Sequence, residues 1–182
     1  MLKLPLKANL AASIIAGAMA PLALAPLNLW PLAPLSVVLF WYTLNHSNHT
    51  KNAMVNGLAY GLGYFGVGVS WVFVSMVDHG DTHWLLATVL TVLFCFGLAL
   101  LYGVFAGLFY RLKHHHQYPS LLFIGLWVSL DLLRAWLLTG FPWLYLGYAG
   151  LDTFVAGYAP ILGVHGITLL LLFSRLLILG VQ

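Results

Sequence analysis

The sequence predicts an all-α fold: a polytopic transmembrane helix bundle of about six helices. Three observations predict it: a shortage of charge, long apolar runs with no polar face, and basic residues that fall in every second loop. Of 182 residues, 62% are hydrophobic and 6% charged, whereas a soluble domain carries about 25% charged residues. Seven Lys and Arg with four acidic side chains cannot cover a chain of this size in water. Lipid makes no such demand, because apolar side chains there face apolar solvent. The mean hydropathy of +0.97 agrees. A soluble core would also show polar positions at helical or strand period, and the long runs show none. The net charge of +3 is small and scattered, which argues against a nucleic-acid partner. One cysteine excludes an internal disulfide framework.

A helix needs about 20 mostly apolar residues to cross the hydrocarbon. The first span runs from about Ala8 to Ala25 and ends in the turn-rich Pro26-Leu-Asn-Leu-Trp-Pro31. The second, from about Leu32 to Leu44, is short enough to be re-entrant or to pair with the first as a hairpin. The polar stretch Asn45-His-Ser-Asn-His-Thr-Lys51 closes it. The third covers about Ala53 to Val77 and is rich in glycine. The fourth, about Trp84 to Leu112, is long enough to tilt or protrude. The fifth runs from about Ser120 to Leu138, and the sixth from about Val155 to Leu179.

Short loops rich in Lys and Arg stay in the cytoplasm. Lys3 and Lys7 precede the first span, Lys51 lies between two and three, and Arg111 and Lys113 lie between four and five. The loops after spans one, three and five hold no Lys or Arg; Asp78, Asp81 and Asp152 fall in the latter two. Six spans give this alternation without exception, so both termini, including Gln182, are expected in the cytoplasm. Lys3, Lys7, an apolar run and Ala23-Leu-Ala25 imitate a secretory signal peptide. Pro26, just past the cut, argues against cleavage.

Gly57/Gly61 and Gly103/Gly107 stand four apart, making flat strips where another helix backbone approaches closely. Packing within the chain is the expected use. Trp30, Trp71, Trp84 and Trp143 fall near span ends, as interfacial anchors do. Ionisable groups at membrane depth are costly and have partners. Asp131 and Arg134 lie three apart on one face of span five, so they can neutralise each other. A structural ion pair that fixes helix packing is favoured over a docking point for a lipid headgroup.

The loop Asp78-His79-Gly80-Asp81-Thr82-His83 is dense in potential metal ligands, yet its spacing fits no zinc pattern. No metal is expected there. His114, His115 and His116 extend the basic loop around Arg111 and Lys113, facing anionic lipid. His165 in span six is read as hydrogen-bonding a neighbouring helix. Cys95 lies mid-span between Phe94 and Phe96, where nothing stabilises a thiolate. The chain has no glutamate, Gly-rich phosphate loop, GxSxG elbow or HExxH. It carries no self-contained catalytic constellation, no catalytic residue is assigned, and no cofactor is expected.

Five stretches in order carry a resemblance. They are Leu24-Ala-Pro-Leu-Asn-Leu-Trp-Pro31; Gly61-Leu-Gly-Tyr-Phe-Gly-Val-Gly-Val-Ser-Trp-Val-Phe-Val-Ser75; Asp131-Leu-Leu-Arg-Ala-Trp136; Thr139-Gly-Phe-Pro-Trp-Leu-Tyr-Leu-Gly-Tyr148; and Ala159-Pro-Ile-Leu-Gly-Val-His-Gly166. Together, from about residue 10 to 180, they resemble the membrane domain of bacterial apolipoprotein N-acyltransferase. Two departures stand out. Asp131 and Ala135 occupy a Glu-x-x-Arg-Gly pattern, and His165 stands where histidine is not expected to be fixed.

The resemblance implies transfer of a fatty acyl group from a phospholipid, preferably phosphatidylethanolamine, to the N-terminal diacylglyceryl-cysteine of a lipoprotein. That is the last step of lipoprotein maturation, at the outer face of the bacterial cytoplasmic (inner) membrane. It implies a nitrilase-like domain with a Glu-Lys-Cys triad working by two-step nucleophilic catalysis, placed after a seventh span. None of that triad transfers onto this sequence. The expectation is therefore a front portion, inactive alone, as a fragment, a truncated gene or half of a split pair with a separate nitrilase-like half. Trp71, Ser75, Phe141, Trp143 and Tyr148 are expected to line the lateral entrance for acyl chains, since amphipathic aromatics suit the acyl–headgroup boundary; plain interfacial anchoring is the competing account. The alternative class is a non-catalytic membrane scaffold or transporter-like protein.

Overall fold

The computed structural model describes residues 5–179, so Lys3 and Gln182 lie outside the described residues. Among the described residues all regular structure is helical: α1 (Leu6–Leu22), α2 (Leu32–Asn45), α3 (Thr50–Gly68), α4 (Trp71–Asp78), α5 (Trp84–Leu112), α6 (Pro119–Trp136) and α7 (Ala159–Leu179). Three 3₁₀ turns, Leu137–Thr139, Leu146–Gly150 and Phe154–Tyr158, join α6 to α7. By length and composition α5, α6 and the stretch Phe154–Ser174 can each cross a membrane. The pair α3 and α4 makes a fourth, and α1 and α2 are shorter apolar helices of 17 and 14 residues. The number six is thus approximate.

Two expected spans are broken. Where hydropathy draws one helix over 53–77, the chain bends by 45° between α3 and α4. The break falls 19 residues into the element, about 28 Å along its axis, close to the full hydrocarbon thickness of about 30 Å. It therefore lies toward the end of the paired element and not at its start. In span six the α-helix begins only at Ala159, after the 3₁₀ turn Phe154–Tyr158, and is interrupted at Gly163, whose φ of 64° and ψ of −177° are not helical.

Close backbone contact holds the bundle. A Cβ at Gly57 would stand 2.2 Å from the Tyr102 carbonyl oxygen, and one at Gly61 2.7 Å from the Ala99 Cα. Gly103 and Gly107 face Met54 in return, so both GxxxG pairs serve the α3–α5 contact. On its other side α3 meets α1, where a Cβ at Gly63 would lie 2.2 Å from the Ile14 carbonyl oxygen. Between these helices sits an aromatic core of Phe40, Tyr60, Tyr102, Phe105, Phe123 and Trp127; Phe40 stacks on Tyr60 at 4.0 Å. Buried hydroxyls need partners in lipid. The Tyr60 hydroxyl lies 2.9 Å from Ser36 Oγ, which itself donates to the Ala16 carbonyl at 2.6 Å.

Side-chain contacts identify the two ends. Asn9 at the start of α1 donates to the Thr43 carbonyl near the end of α2 (3.0 Å), and Lys113 after α5 donates to Asn45 (3.3 Å). Lys7, Lys51, Arg111 and Lys113 therefore gather at one end. The α1–α2 connection, the α3–α4 break and the turns after α6 meet at the other.

Candidate functional site

At that second end lies a cleft of about 570 Å³. One wall is the Pro21–Asn28 segment closing α1; the floor is Val67–Gly68 at the end of α3. Trp71 opens α4 on one side, and Trp143, Leu144 and Tyr148 form the other. The two indoles stand 6.2 Å apart, tilted at 48°. Trp71, Trp143 and Tyr148 are all exposed, and the lining is mainly apolar. Asp152 is the one charged residue among the lining residues described. Three of the five residues expected at a lipid entrance thus share one cavity. Phe141 stands behind it, 5.5 Å from the Trp143 ring and 5.3 Å from Phe94. Ser75 is not brought in; it lies one turn along α4, exposed, outside the lining.

The aromatic turn rests on a buried ion pair. Arg134 Nη1 lies 3.2 Å from Asp131 Oδ1, and both residues are 1% exposed. The guanidinium also sits 5.2 Å from the ring centroids of Phe65 and Tyr145 and 6.0 Å from that of Phe141. Ring faces carry negative potential, so they offset part of the cost of taking a cation out of water. Arg134 Nη2 donates to the Trp143 carbonyl at 2.6 Å, and the Phe141 amide donates to the Arg134 carbonyl at 2.7 Å. The chain reverses at Gly140, whose φ is 88°. A Cβ there would fall 2.2 Å from the Ala135 carbonyl oxygen. Leu144 takes a left-handed φ of 61°, which costs a non-glycine residue about 1–2 kcal/mol. The Tyr64 hydroxyl donates to its carbonyl, and its side chain fills the space at Gly68, where a Cβ would lie 2.4 Å from Leu144 Cδ1. Burial pushes the Tyr145 phenol above its ordinary range, against the pull of Arg134.

Elsewhere the residues do not converge on chemistry. Among the described residues no three His, Cys, Asp or Glu side chains are placed to hold one metal ion. In the Asp78–His83 loop, His83 Nδ1 instead accepts from the Leu85 amide at 3.3 Å, capping α5. Cys95 is buried with Sγ 3.5 Å from the Phe65 carbonyl oxygen. His165 differs from expectation: its Nδ1 has no hydrogen-bond partner, and its ring packs on Tyr145 at 4.8 Å. At the basic end Lys113 lies over the Tyr110 ring at 4.6 Å, and burial holds its ammonium below the usual lysine range.

Sequence reasoning missed Tyr64, Leu144 and the Pro26–Asn28 wall as parts of this site. For Tyr64 a signal existed, since a buried hydroxyl is costly without a partner. For Leu144 there was none, because leucine is uncommon at positive φ.

Comparison with known proteins places this chain in a family. Residues 16–177 match the family model described as the apolipoprotein N-acyltransferase N-terminal domain. The chain is 43% identical over 155 residues to the apolipoprotein N-acyltransferase of Pseudomonas aeruginosa, covering 84% of this chain and 30% of that protein. It is 40% identical over 172 residues to the Photobacterium profundum protein of the same name, covering 93% and 33%. The Azotobacter vinelandii protein of that name is 39% identical over 171 residues, covering 92% and 33%. The chain thus spans about a third of the length of these curated relatives. With the match running from α1 into α7, the chain belongs to the apolipoprotein N-acyltransferase family through its N-terminal membrane domain.

Proposed function

We propose that this chain is the membrane platform of a phospholipid-dependent apolipoprotein N-acyltransferase, acting in the bacterial cytoplasmic (inner) membrane with its basic end in the cytoplasm. In that reaction a fatty acyl group passes from a phospholipid to the amine of a lipoprotein's N-terminal diacylglyceryl-cysteine. Bond making belongs to a nitrilase-like Glu-Lys-Cys domain, continuous with this chain or carried by a separate half. The chain has no glutamate and its one cysteine is buried, so its own residues bind and orient lipid. The observation that carries the reading is the apolar cleft between Trp71 and Trp143 at the end of the bundle opposite the basic side chains. An acyl chain enters beside the indoles, with Tyr148 at the rim and Phe141 behind; Asp131 and Arg134 brace the turn beneath. A transporter is expected to carry inverted repeats, and the sequence shows no convincing internal repeat.

The test is a chimera in which this chain replaces the matching N-terminal third of the Pseudomonas aeruginosa relative. Transfer from phospholipid to a lipopeptide is measured in membranes. The chimera is expected to be active, and Trp143→Ala to lower transfer by about tenfold, roughly 1.4 kcal/mol of transition-state stabilisation, without lowering membrane insertion. Unchanged transfer removes Trp143 from the site. Thioester formation by this chain alone would overturn the assignment of chemistry to another domain.

A further inference from the structure

We propose that Tyr64 is a positioning residue for the aromatic turn: together with Arg134 it fixes two consecutive carbonyls, those of Leu144 and Trp143, and so sets where the Trp143 ring stands in the cleft. The significance of that placement rests on the cleft being a lipid entrance; the placement itself is tested separately below.

Three residues of the α3–α4 stretch act on the same turn. Tyr64 supplies the hydroxyl that holds the Leu144 carbonyl. Gly68, one helical turn later, supplies the space that the Leu144 side chain fills. Trp71, just past the break, is the opposite wall, 6.2 Å from Trp143. Spacings of four and three put the first two on one helix face and the third beyond its end, so the end of α3 sets where the Trp143 side of the cleft stands. The Tyr64 ring cannot swing away. It is 1% exposed and wedged among Tyr60, Phe65 and Tyr102, with centroids at 5.9, 5.2 and 5.5 Å. From the other side Arg134 pins the adjacent Trp143 carbonyl at 2.6 Å. A leucine held at φ 61° relaxes toward ordinary backbone once one of these holds is lost, and Trp143, its chain neighbour, moves with it.

The experiment uses the full chain in lipid nanodiscs, labelled with 5-fluorotryptophan, with the Trp143 resonance assigned through Trp143→Phe. Tyr64→Phe keeps the ring and removes the hydroxyl. The expected result is a shifted or doubled Trp143 resonance, with the core Trp127 resonance and the helix content unchanged. Adding Leu144→Asn, a residue that tolerates the left-handed region, should restore a single line. A Trp143 line that stays single and unshifted in Tyr64→Phe overturns the proposal. So does a Trp127 shift of equal size, or failure of Leu144→Asn to restore the line, since either marks general packing loss. If Tyr64→Phe does not fold, Gly68→Val expels Leu144 with the hydroxyl intact; an unmoved Trp143 line then overturns it equally. Doxyl-labelled phospholipid supplies the independent arm. Absence of paramagnetic broadening at wild-type Trp143 defeats the entrance reading while leaving the positioning role standing.

Discussion

Asp131 and Arg134 illustrate how a membrane interior tolerates charge. Neither is exposed, each neutralises the other, and three ring faces surround the cation. Removing one partner of a buried pair leaves an uncompensated charge and costs about 3–5 kcal/mol, whereas replacing both with apolar residues is often close to neutral. Asp131→Leu alone is therefore expected to destabilise the chain by that amount in detergent unfolding. Asp131→Leu with Arg134→Met should lie nearer wild type, and a double variant weaker than the single would contradict this account. The pair itself was readable from its i, i+3 spacing. Its acceptor in the turn was not, because the Trp143 carbonyl comes within reach only after the reversal at Gly140, and that fold-back depends on a glycine φ that spacing does not encode. Leu144 was opaque for a related reason: its backbone conformation is imposed by Tyr64 and Gly68 from another helix.

Helix α3 shows what small residues do at the scale of an element. Gly57 abuts the Tyr102 carbonyl, and backbone cannot retreat as a flexible side chain can. Gly57→Val is expected to cost about 1–3 kcal/mol by overpacking. Gly97 on α5 has nothing within 4 Å of its would-be Cβ, so Gly97→Ala should gain about 0.5–1 kcal/mol from helix propensity alone. Thermal unfolding of the two variants in one detergent checks the contrast; equal effects would show that the α3–α5 contact is looser than described. The GxxxG spacings made this contact legible from sequence. The bend between α3 and α4 escaped because hydropathy sums composition and is indifferent to direction: Val69 and Ser70 are as apolar-compatible in a bend as in a helix. The interruption at Gly163 escaped likewise, since glycine within an apolar run is common where helices pack.

For the molecule as a whole, charge was the most informative signal. Lys7, Lys51, Arg111 and Lys113 gather at the end where α2 finishes and α3 begins, while Asp78, Asp81 and Asp152 occupy the end that holds the cleft. If the basic end faces the cytoplasm, a membrane-impermeant thiol reagent applied to intact spheroplasts should label Asp152→Cys but not His115→Cys in a Cys95→Ser background. The reverse pattern would invert the topology. Composition thus revealed class and polarity, whereas the cleft emerged only from three connections that hydropathy treats as mere separators. Its two sides also differ in anchorage. Trp143 is tied down through Arg134, Tyr64 and the slot at Gly68, but α4, which carries Trp71, has no buried residue and meets mainly α5. Segments with little buried contact open at low free energy. Under the proposed role as a lipid entrance, the less anchored α4 is the cheek that yields to guests of unequal girth, with the Trp143 indole as the constant datum.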